Sequence, residues 1–341
     1  MAAHVIDARK LATYLECHID GFKGPLTVEQ FAGGQSNPTY KLRAASGTYV
    51  LRSKPLGVLL KSAHAVDREF RVVKALADSE VPVATAYHLC SDDSVIGSMF
   101  YVMSFAAGRN FWDAALPELT REQRPAIYDT INNTLAALHN IDIQAVGLGD
   151  FGKPGNYFER QIGRWQQQYR AAETETIPSM EELMAWLPAN LPADDGRVSL
   201  IHGDFRIDNM IFDPQQPRVI ALLDWELATL GHPLADLAYY CMWLRLPKLG
   251  AVKGLAGEDI VALNIPSEQK FVEDYCRRTG ITRIDNWNFY LAFSFFKMTA
   301  IVQGILKRAL EGNASNSSAL EVGRMAGSLS TMAMALLERD K

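Results

Sequence analysis

One short stretch, LIHGDFRIDNMIF at residues 200–212, constrains the fold of this chain more than any other. An apolar run breaks at His202, passes through Gly203 and Asp204 into further polar side chains, and turns apolar again at Met210. The glycine allows a tight bend at the end of a strand. Charged side chains are rarely buried unless they are paired. The pattern therefore predicts a short strand that delivers an aspartate to its edge.

The residues after this bend predict a β-hairpin. Met210–Phe212 has strand composition, residues 213–217 have turn composition, and a second strand follows at 219–223. Asn209 and Asp224 flank the hairpin, so we expect them at its open end on opposite strands. Facing side chains of an antiparallel pair lie about 4.5–5.5 Å apart at Cβ, close enough to share one cation. Because Mg²⁺ prefers oxygen ligands together with substrate phosphates, we predict a magnesium site there.

A third polar residue, Asp204, stands five residues before Asn209. An aspartate in this place can accept the proton of an attacking hydroxyl and orient it for in-line attack on phosphorus. Asp-x-x-x-x-Asn followed by a metal-binding aspartate is the phosphoryl-transfer arrangement of the protein-kinase fold. We therefore predict that Asp204 is the catalytic base, and that Asn209 and Asp224 bind the metal.

The same residues resemble the catalytic segment of the aminoglycoside-phosphotransferase and choline-kinase group, which are small-molecule kinases with the protein-kinase fold. HGDFRIDN matches the H-G-D-x-x-x-x-N of that group, and LLDWE matches its I-D-W/F-E. Segments along nearly the whole chain resemble the subgroup whose relatives are also fused to acyl-CoA dehydrogenases: FAGGQSNPTYKL, YVLRSKP, DREFRVVKAL, GKPGNYFERQIGRW and GHPLADLAYY. The resemblance implies that ATP and Mg²⁺ are cofactors and that the γ-phosphoryl group passes to a small-molecule hydroxyl.

The length and the hydrophobic pattern predict two lobes. A chain of 341 residues with 48% hydrophobic residues is long for a single core. Strand-like patterns surround one amphipathic helix at residues 65–79, AAGR interrupts the pattern at 106–109, and mostly helical patterns follow. We predict an α+β, bilobal, protein-kinase-like fold. Its nucleotide-binding lobe would span residues 1–105, its catalytic and acceptor-binding lobe residues 106–341, and its hinge residues 106–109.

The first lobe offers candidate nucleotide-binding residues. Small residues in GGQSN would let backbone N–H groups approach the ATP phosphates, although such a loop can also be a plain hairpin turn. Kinases of this fold carry a lysine on the next strand, paired with a helix glutamate. Here Arg52 takes that place with Glu69 as its partner, and Lys54 is the alternative cation. The predicted nucleotide site comprises Gly33, Gly34, Ser36, Asn37, Arg52, Glu69, Met103 and Phe105.

Other polar residues near the catalytic segment have two interpretations each. Arg206 can contact the transferring phosphoryl group, which is our prediction, or form a surface ion pair with Asp208. Glu226 can assist the metal or lie solvated at a helix start. His202 has no second histidine at metal-ligand spacing, so we predict that it braces the catalytic loop. Asp236 is predicted to begin a helix or to brace a loop.

Composition limits the partners. The formal net charge of −5 and the lack of long runs of like charge disfavour nucleic acid and membrane surfaces. The start of the chain shows no signal-peptide pattern. Lys297 and Gln303 interrupt the apolar stretch YLAFSFFKMTAIVQGIL, which favours a buried helix over a membrane span. Scattered cysteines without a C-x-x-C pair predict a reducing, cytoplasmic location. The oligomeric state stays open.

The acceptor is predicted to be neutral or anionic, with hydroxyacyl compounds among the candidates. Residues 237–257 contain Arg245, Lys248 and Lys253 and no acid, and residues 153–170 are also mainly basic. A polycation entering a partly dry pocket needs carboxylates to replace its hydration. The alternatives are an aminoglycoside or choline-type kinase, a pseudokinase scaffold, and a metal-dependent phosphohydrolase, which the scattered histidines disfavour.

Overall fold

A computed structural model of the protein describes residues 6–31, 37–55, 65–249, 252–312 and 319–338. The strands are β1 (Leu26–Gln30), β2 (Thr39–Ala44), β3 (Gly47–Ser53), β4 (Ala86–Cys90), β5 (Phe100–Ser104), β6 (Ser199–Ile201), β7 (Met210–Phe212), β8 (Val219–Leu222), β9 (Thr229–Gly231), β10 (Lys248–Leu249) and β11 (Val252–Lys253). The helices are α1 (Ala8–His18), α2 (Val66–Ala75), α3 (Arg124–His139), α4 (Tyr157–Ala172), α5 (Pro178–Ala189), α6 (Leu234–Leu244), α7 (Ile260–Leu263), α8 (Glu268–Thr279), α9 (Trp287–Leu310), α10 (Ala319–Gly323) and α11 (Ala326–Glu338).

The chain divides into two compact units. The first comprises Met1–Asn110, Ala145–Leu148 and Asn209–Ala228, and the second comprises Phe111–Gln144, Gly149–Asp208 and Thr229–Lys341. The predicted boundary at residue 105 falls close to the end of the first segment. The hairpin at 209–228 differs from the prediction, because it belongs to the first unit and not to the lobe at 106–341.

Backbone pairing explains why the hairpin joins the first unit. Arg109 and Phe212 exchange N–H···O=C hydrogen bonds of 2.8 Å in both directions, and the N–H of Leu222 donates to the carbonyl of Pro82 at 2.8 Å. A Cβ atom on Gly108 would lie 2.2 Å from the carbonyl oxygen of Phe212, so only glycine permits this approach. The AAGR segment, predicted as a hinge, is thus bonded to the hairpin.

The first unit is built on an antiparallel sheet in the order β1-β2-β3-β5-β4. Side chains of a strand alternate between the two faces of the sheet. On β3, Leu51 belongs to the apolar core together with Leu15 of α1. Val50 and Arg52 lie on the opposite face, and Val50 stands across from Met103 of β5. One face therefore forms the core, and the other is available for a site.

The second unit is mainly helical, and α9 packs against α4, α6, α10 and α11. By length and composition α9 is apolar enough to cross a membrane, but 83% of its apolar window is buried inside the protein. The core helix of a globular domain has the same properties, and this agrees with the buried helix that the sequence favours. In the same unit β6 pairs with β9, with Ile201 opposite Thr229, and the end of β6 leads directly into His202.

Candidate active site

A cavity of about 300 Å³ lies within the first unit, a size at the lower end of the range for small-ligand sites. It combines an apolar wall with a few polar groups, as sites for small ligands commonly do. Its lining residues are Phe31, Thr39, Val50, Arg52, Val73, Ala84, Tyr101, Met103, Ser104, Phe105, Ala106, Asn209, Ile211, Leu222, Leu223, Asp224 and Trp225. The structure thus brings together five of the predicted residues, namely Arg52, Met103, Phe105, Asn209 and Asp224.

The predicted pair between Arg52 and Glu69 is formed. Nε of Arg52 lies 2.7 Å from Oε2 of Glu69, whose side chain is 1% exposed. Glu69 also accepts hydrogen bonds from Nδ2 of Asn37 at 2.7 Å and from the hydroxyl of Tyr101 at 3.3 Å. Burial raises the pKa of Glu69, and the Arg52 guanidinium opposes that rise. Asn37 therefore contacts the carboxylate that holds Arg52, while Gly33, Gly34 and Ser36 lie outside the described residues.

Lys54, the alternative cation, has a different environment. It lies just beyond the end of β3, and its Nζ is 3.6 Å from Oδ1 of Asp67. It does not line the cavity, whereas Arg52 does. The geometry favours Arg52 as the cation beside the predicted metal ligands.

Asp224 ends the hairpin in an unusual backbone conformation. Its φ of 65° and ψ of 61° lie in the left-handed region, which aspartate tolerates better than most residues. The N–H of Leu223 donates to the carbonyl of Asn209 at 2.8 Å, so Asn209 and Asp224 lie at the open end, as predicted. Nη2 of Arg52 lies 2.6 Å from Oδ1 of Asp224 and 3.7 Å from Oε2 of Glu226. One arginine thus contacts three carboxylates.

These donors fit a magnesium ion that is bound together with phosphates. Asn209 offers an amide oxygen and Asp224 a carboxylate, and both line the same cavity. In the part of the chain that the structure describes, no group of three or more His, Cys, Asp or Glu side chains could hold a metal. Mg²⁺ is commonly held by one or two carboxylates plus substrate phosphates and water, so such a partial site is sufficient.

A buried carboxylate holds the loop that carries Asp204. Asp236, 1% exposed in α6, accepts the N–H of His202 at 2.6 Å and that of Gly203 at 2.8 Å. Nε2 of His139 lies 3.4 Å from the same carboxylate. Burial opposes ionisation, yet the hydrogen bonds from His139 and His202 hold the pKa of Asp236 below its ordinary value. The structure places Asp236 as a loop brace, one of its two predicted interpretations.

Asp204 itself lies among hydrogen-bond donors and cations. The hydroxyl of Tyr239 donates to its Oδ1 at 2.9 Å, and its backbone N–H contacts Nδ1 of His202 at 3.2 Å. Burial opposes ionisation, but the charges of Arg206 and Lys297 hold the pKa of Asp204 below its ordinary value. The group is therefore a carboxylate at neutral pH, which a proton acceptor must be.

Arg206 contacts two carboxylates and an aromatic ring. Its Nη2 lies 3.0 Å from Oδ2 of Asp208, and its Nε lies 3.4 Å from Oδ1 of Asp204. The guanidinium also stacks 4.5 Å from the ring centroid of Trp243. The ion pair with Asp208 is present, and a role toward a phosphoryl group stays a prediction.

A second, small cavity of about 50 Å³ lies beside Arg206 within the second unit. Trp112, which is 68% exposed, and Lys253 also line it. Sequence reasoning did not single out Trp112, although an aromatic residue soon after the AAGR segment is a signal that could have found it.

Two other cations of the predicted basic segment form ion pairs within the protein. Arg245 lies 2.6 Å from Glu268, and Lys248 lies 2.8 Å from Glu258 and 3.2 Å from Asp113.

Comparison with known proteins first defines the class. The fold matches that of a spectinomycin phosphotransferase solved with ADP and spectinomycin, with a TM-score of 0.63 and 14% identity over 97% of this chain and 98% of that chain. A candidate aminoglycoside phosphotransferase from Ralstonia eutropha gives a TM-score of 0.90 and 48% identity over 98% of this chain and 99% of that one. The predicted α+β, kinase-like fold is confirmed.

The family follows from the sequence. The model of the phosphotransferase enzyme family matches residues 27–259, and the chain belongs to that family. Acyl-CoA dehydrogenase family member 10 of Mus musculus is 49% identical over 311 residues, which are 91% of this chain and 29% of that protein. This chain spans less than half the length of the curated relatives it matches, and the predicted resemblance to that subgroup is confirmed.

Proposed function

We propose that the chain transfers the γ-phosphoryl group of ATP to a hydroxyl of a small molecule, with Mg²⁺ as cofactor. The observation that carries this proposal is the meeting of Arg52, Asn209 and Asp224 on one cavity of about 300 Å³. The apolar part of that lining can hold the nucleobase of ATP. Its cation and two oxygen donors can hold the phosphates and the metal. The ADP bound to the spectinomycin phosphotransferase supports a nucleotide of this type.

Each residue has a role that follows from its chemistry. Asp204 accepts the proton of the acceptor hydroxyl, and the hydroxyl of Tyr239 orients its carboxylate. Arg52 binds the α- or β-phosphate through its planar guanidinium. Asn209 and Asp224 would hold Mg²⁺, which would neutralise charge on the phosphates. Positioning and charge neutralisation supply most of the rate in phosphoryl transfer.

We propose a neutral or anionic acceptor, with hydroxyacyl compounds among the candidates. Arg206, Lys253 and the indole of Trp243 line the small cavity beside the proposed base. The carboxylate in that lining, Asp208, already lies against Arg206. A polycation would therefore meet cations where it needs carboxylates. Arg245 and Lys248 already form ion pairs within the protein, so only the cations that line the small cavity support an anionic acceptor.

For localisation we propose a reducing compartment such as the cytoplasm, supported by the cysteine spacing.

Asp224→Asn is expected to weaken the binding of Mg·ATP by about tenfold or more, a loss of at least about 1.4 kcal/mol. Asparagine tolerates the left-handed backbone of residue 224, so the change removes the charge without straining the turn. Calorimetric titration with ATP, with and without Mg²⁺, measures the effect. Asp67→Asn is the matched control, because Asp67 is an exposed aspartate that pairs with Lys54. Unchanged magnesium-dependent affinity in Asp224→Asn would exclude Asp224 as the ligand.

Steady-state kinetics with charged acceptors test the substrate class. We expect hydroxyacyl and other anionic alcohols to be phosphorylated with a higher kcat/KM than polycationic aminoglycosides. Lys253→Met should lower kcat/KM for anionic acceptors without changing the KM for ATP, because Lys253 lines the small cavity of the second unit. Efficient turnover of aminoglycosides with little turnover of anionic alcohols would contradict the proposal.

A further inference from the structure

A buried lysine in the second unit has no role in the function proposed above. Lys297 lies in the middle of α9 and is 8% exposed. Its Nζ lies 4.4 Å from the ring centroid of Tyr239 and 6.0 Å from that of Trp165. Removing an ammonium from water costs several kcal/mol unless hydrogen bonds and opposite charge compensate. The ammonium of Lys297 therefore needs partners in the fold that offset its desolvation.

The groups that compensate Lys297 are a peptide of the catalytic loop and Tyr239 of α6, which contacts that loop. Its Nζ donates a hydrogen bond to the backbone carbonyl of Gly203, the residue immediately before Asp204. The nearer of the two aromatic rings at the ammonium is that of Tyr239, and the hydroxyl of this ring donates to Oδ1 of Asp204 at 2.9 Å. Lys297 therefore reaches the proposed base by two routes, through the peptide of Gly203 and through Tyr239.

We propose that Lys297 is a positioning residue for phosphoryl transfer: its ammonium anchors the Gly203 carbonyl and the Tyr239 ring, and thereby orients the Asp204 carboxylate toward the acceptor hydroxyl. The inference rests on the proposed function, because it assigns Lys297 to the same reaction. Lys297 acts through Gly203 and Tyr239 and is not itself a catalytic residue. Helix α9 thus holds in place the loop that follows the three-residue strand β6, although the two are far apart in the sequence.

The charges around this cluster give the role a pH signature. The groups that act on Asp204 are Arg206, Lys297, His202 and Tyr239. Burial lowers the pKa of Lys297, while the carboxylates of Asp204 and Asp236 oppose that change and Arg164 and Arg206 add to it. Because Lys297 helps to hold the pKa of Asp204 down, its removal raises that pKa. The base must be deprotonated, so the acidic limb of the kcat/KM profile should move to higher pH.

The test compares three variants of the full chain. Lys297→Met removes the charge and keeps most of the side-chain volume, and Lys297→Arg keeps a cation. Lys307→Met is the matched control, because Lys307 lies on the same helix, is partly exposed and donates to the carbonyl of Ala171 at 2.7 Å. We expect Lys297→Met to lose at least about tenfold in kcat, equivalent to about 1.4 kcal/mol. Its acidic limb should shift to higher pH with unchanged Mg·ATP affinity.

Rescue and stability separate positioning from simple packing. Lys297→Arg should return the acidic limb toward its wild-type position, and Lys307→Met should leave both kcat and the limb unchanged. A wild-type kcat and pH profile in Lys297→Met would overturn the proposal. So would a lower thermal midpoint with unchanged activity per folded molecule, since that is the result of a purely structural lysine.

A double-mutant cycle gives a readout that does not depend on phosphoryl transfer. Thermal midpoints are measured for Lys297→Met, Asp204→Asn and the double variant. If the two residues are coupled, the shift of the double variant differs from the sum of the single shifts. Additive shifts overturn the inferred connection whatever the activity. A wild-type chain that phosphorylates no hydroxyl acceptor overturns the proposed function instead, and non-additive shifts would then still establish the coupling.

Discussion

Asp204→Asn is expected to lower kcat by about 100- to 10,000-fold, the usual contribution of a general base. Asparagine keeps the size of the side chain, and its amide oxygen can still accept the hydrogen bond that Tyr239 donates at 2.9 Å. It cannot take a proton from the attacking hydroxyl. The affinity for Mg·ATP should be unchanged, because the groups proposed to bind nucleotide and metal line a cavity of the first unit, to which Asp204 does not belong.

Single-turnover kinetics and calorimetry on the same preparation test this expectation. Asp129→Asn serves as the control, because Asp129 is an exposed aspartate paired with Arg278. An equal loss of nucleotide affinity in Asp204→Asn would show that the residue acts in binding. A near-wild-type kcat would show that another group accepts the proton.

The hairpin with Asn209 and Asp224 is the part of the site that the sequence predicts best. Turn residues and strand composition act over a few positions, so local patterns fix such an element. The first strand has the predicted bounds, Met210–Phe212, and the second ends one residue earlier than predicted, at Leu222. The left-handed conformation of Asp224 could not be predicted, because aspartate tolerates that region without requiring it.

The support of the catalytic loop could not be predicted from local patterns. Gly203 and Lys297 are 94 positions apart in the sequence, and Asp204 and Tyr239 are 35 apart. Only tertiary packing brings them together. Ion pairing is likewise hidden from the sequence. Arg245 looks there like part of a basic surface, but in the structure it lies 2.6 Å from Glu268. Formal charge along a segment does not reveal which cations are already neutralised.

The arginine at the kinase lysine position has a structural reason. Nε of Arg52 contacts Glu69 at 2.7 Å, and Nη2 contacts Asp224 at 2.6 Å. A planar guanidinium can point donors at two carboxylates at once, whereas the ammonium of lysine is a compact point charge. The departure from the family pattern is therefore compatible with an assembled site, which weighs against the scaffold alternative.

Arg52→Ala is expected to lower the free energy of unfolding by about 3–5 kcal/mol, the usual cost of leaving a buried charge without its partner. Glu69 is 1% exposed, and burial already raises its pKa. Without Arg52 that pKa rises further, so the folded state binds a proton more readily than the unfolded state. A group with a raised folded-state pKa favours folding at low pH and loses that contribution as the pH rises. The loss of unfolding free energy in Arg52→Ala, relative to the wild type, should therefore become smaller as the pH falls toward about 5.

Companion variants separate the loss of charge from the loss of packing, with chemical denaturation and ATP calorimetry as the measurements. Arg52→Ala combined with Glu69→Gln should recover much of the stability, because no charge then stays buried, but it should not recover ATP affinity. Arg52→Lys should restore part of both, since a single ammonium cannot reproduce the contacts to Glu69 and Asp224. Lys54→Ala, two residues further along, should change stability by no more than about 0.5 kcal/mol, because its partner Asp67 is exposed. Wild-type stability and ATP affinity in Arg52→Ala would transfer the phosphate-binding role to Lys54.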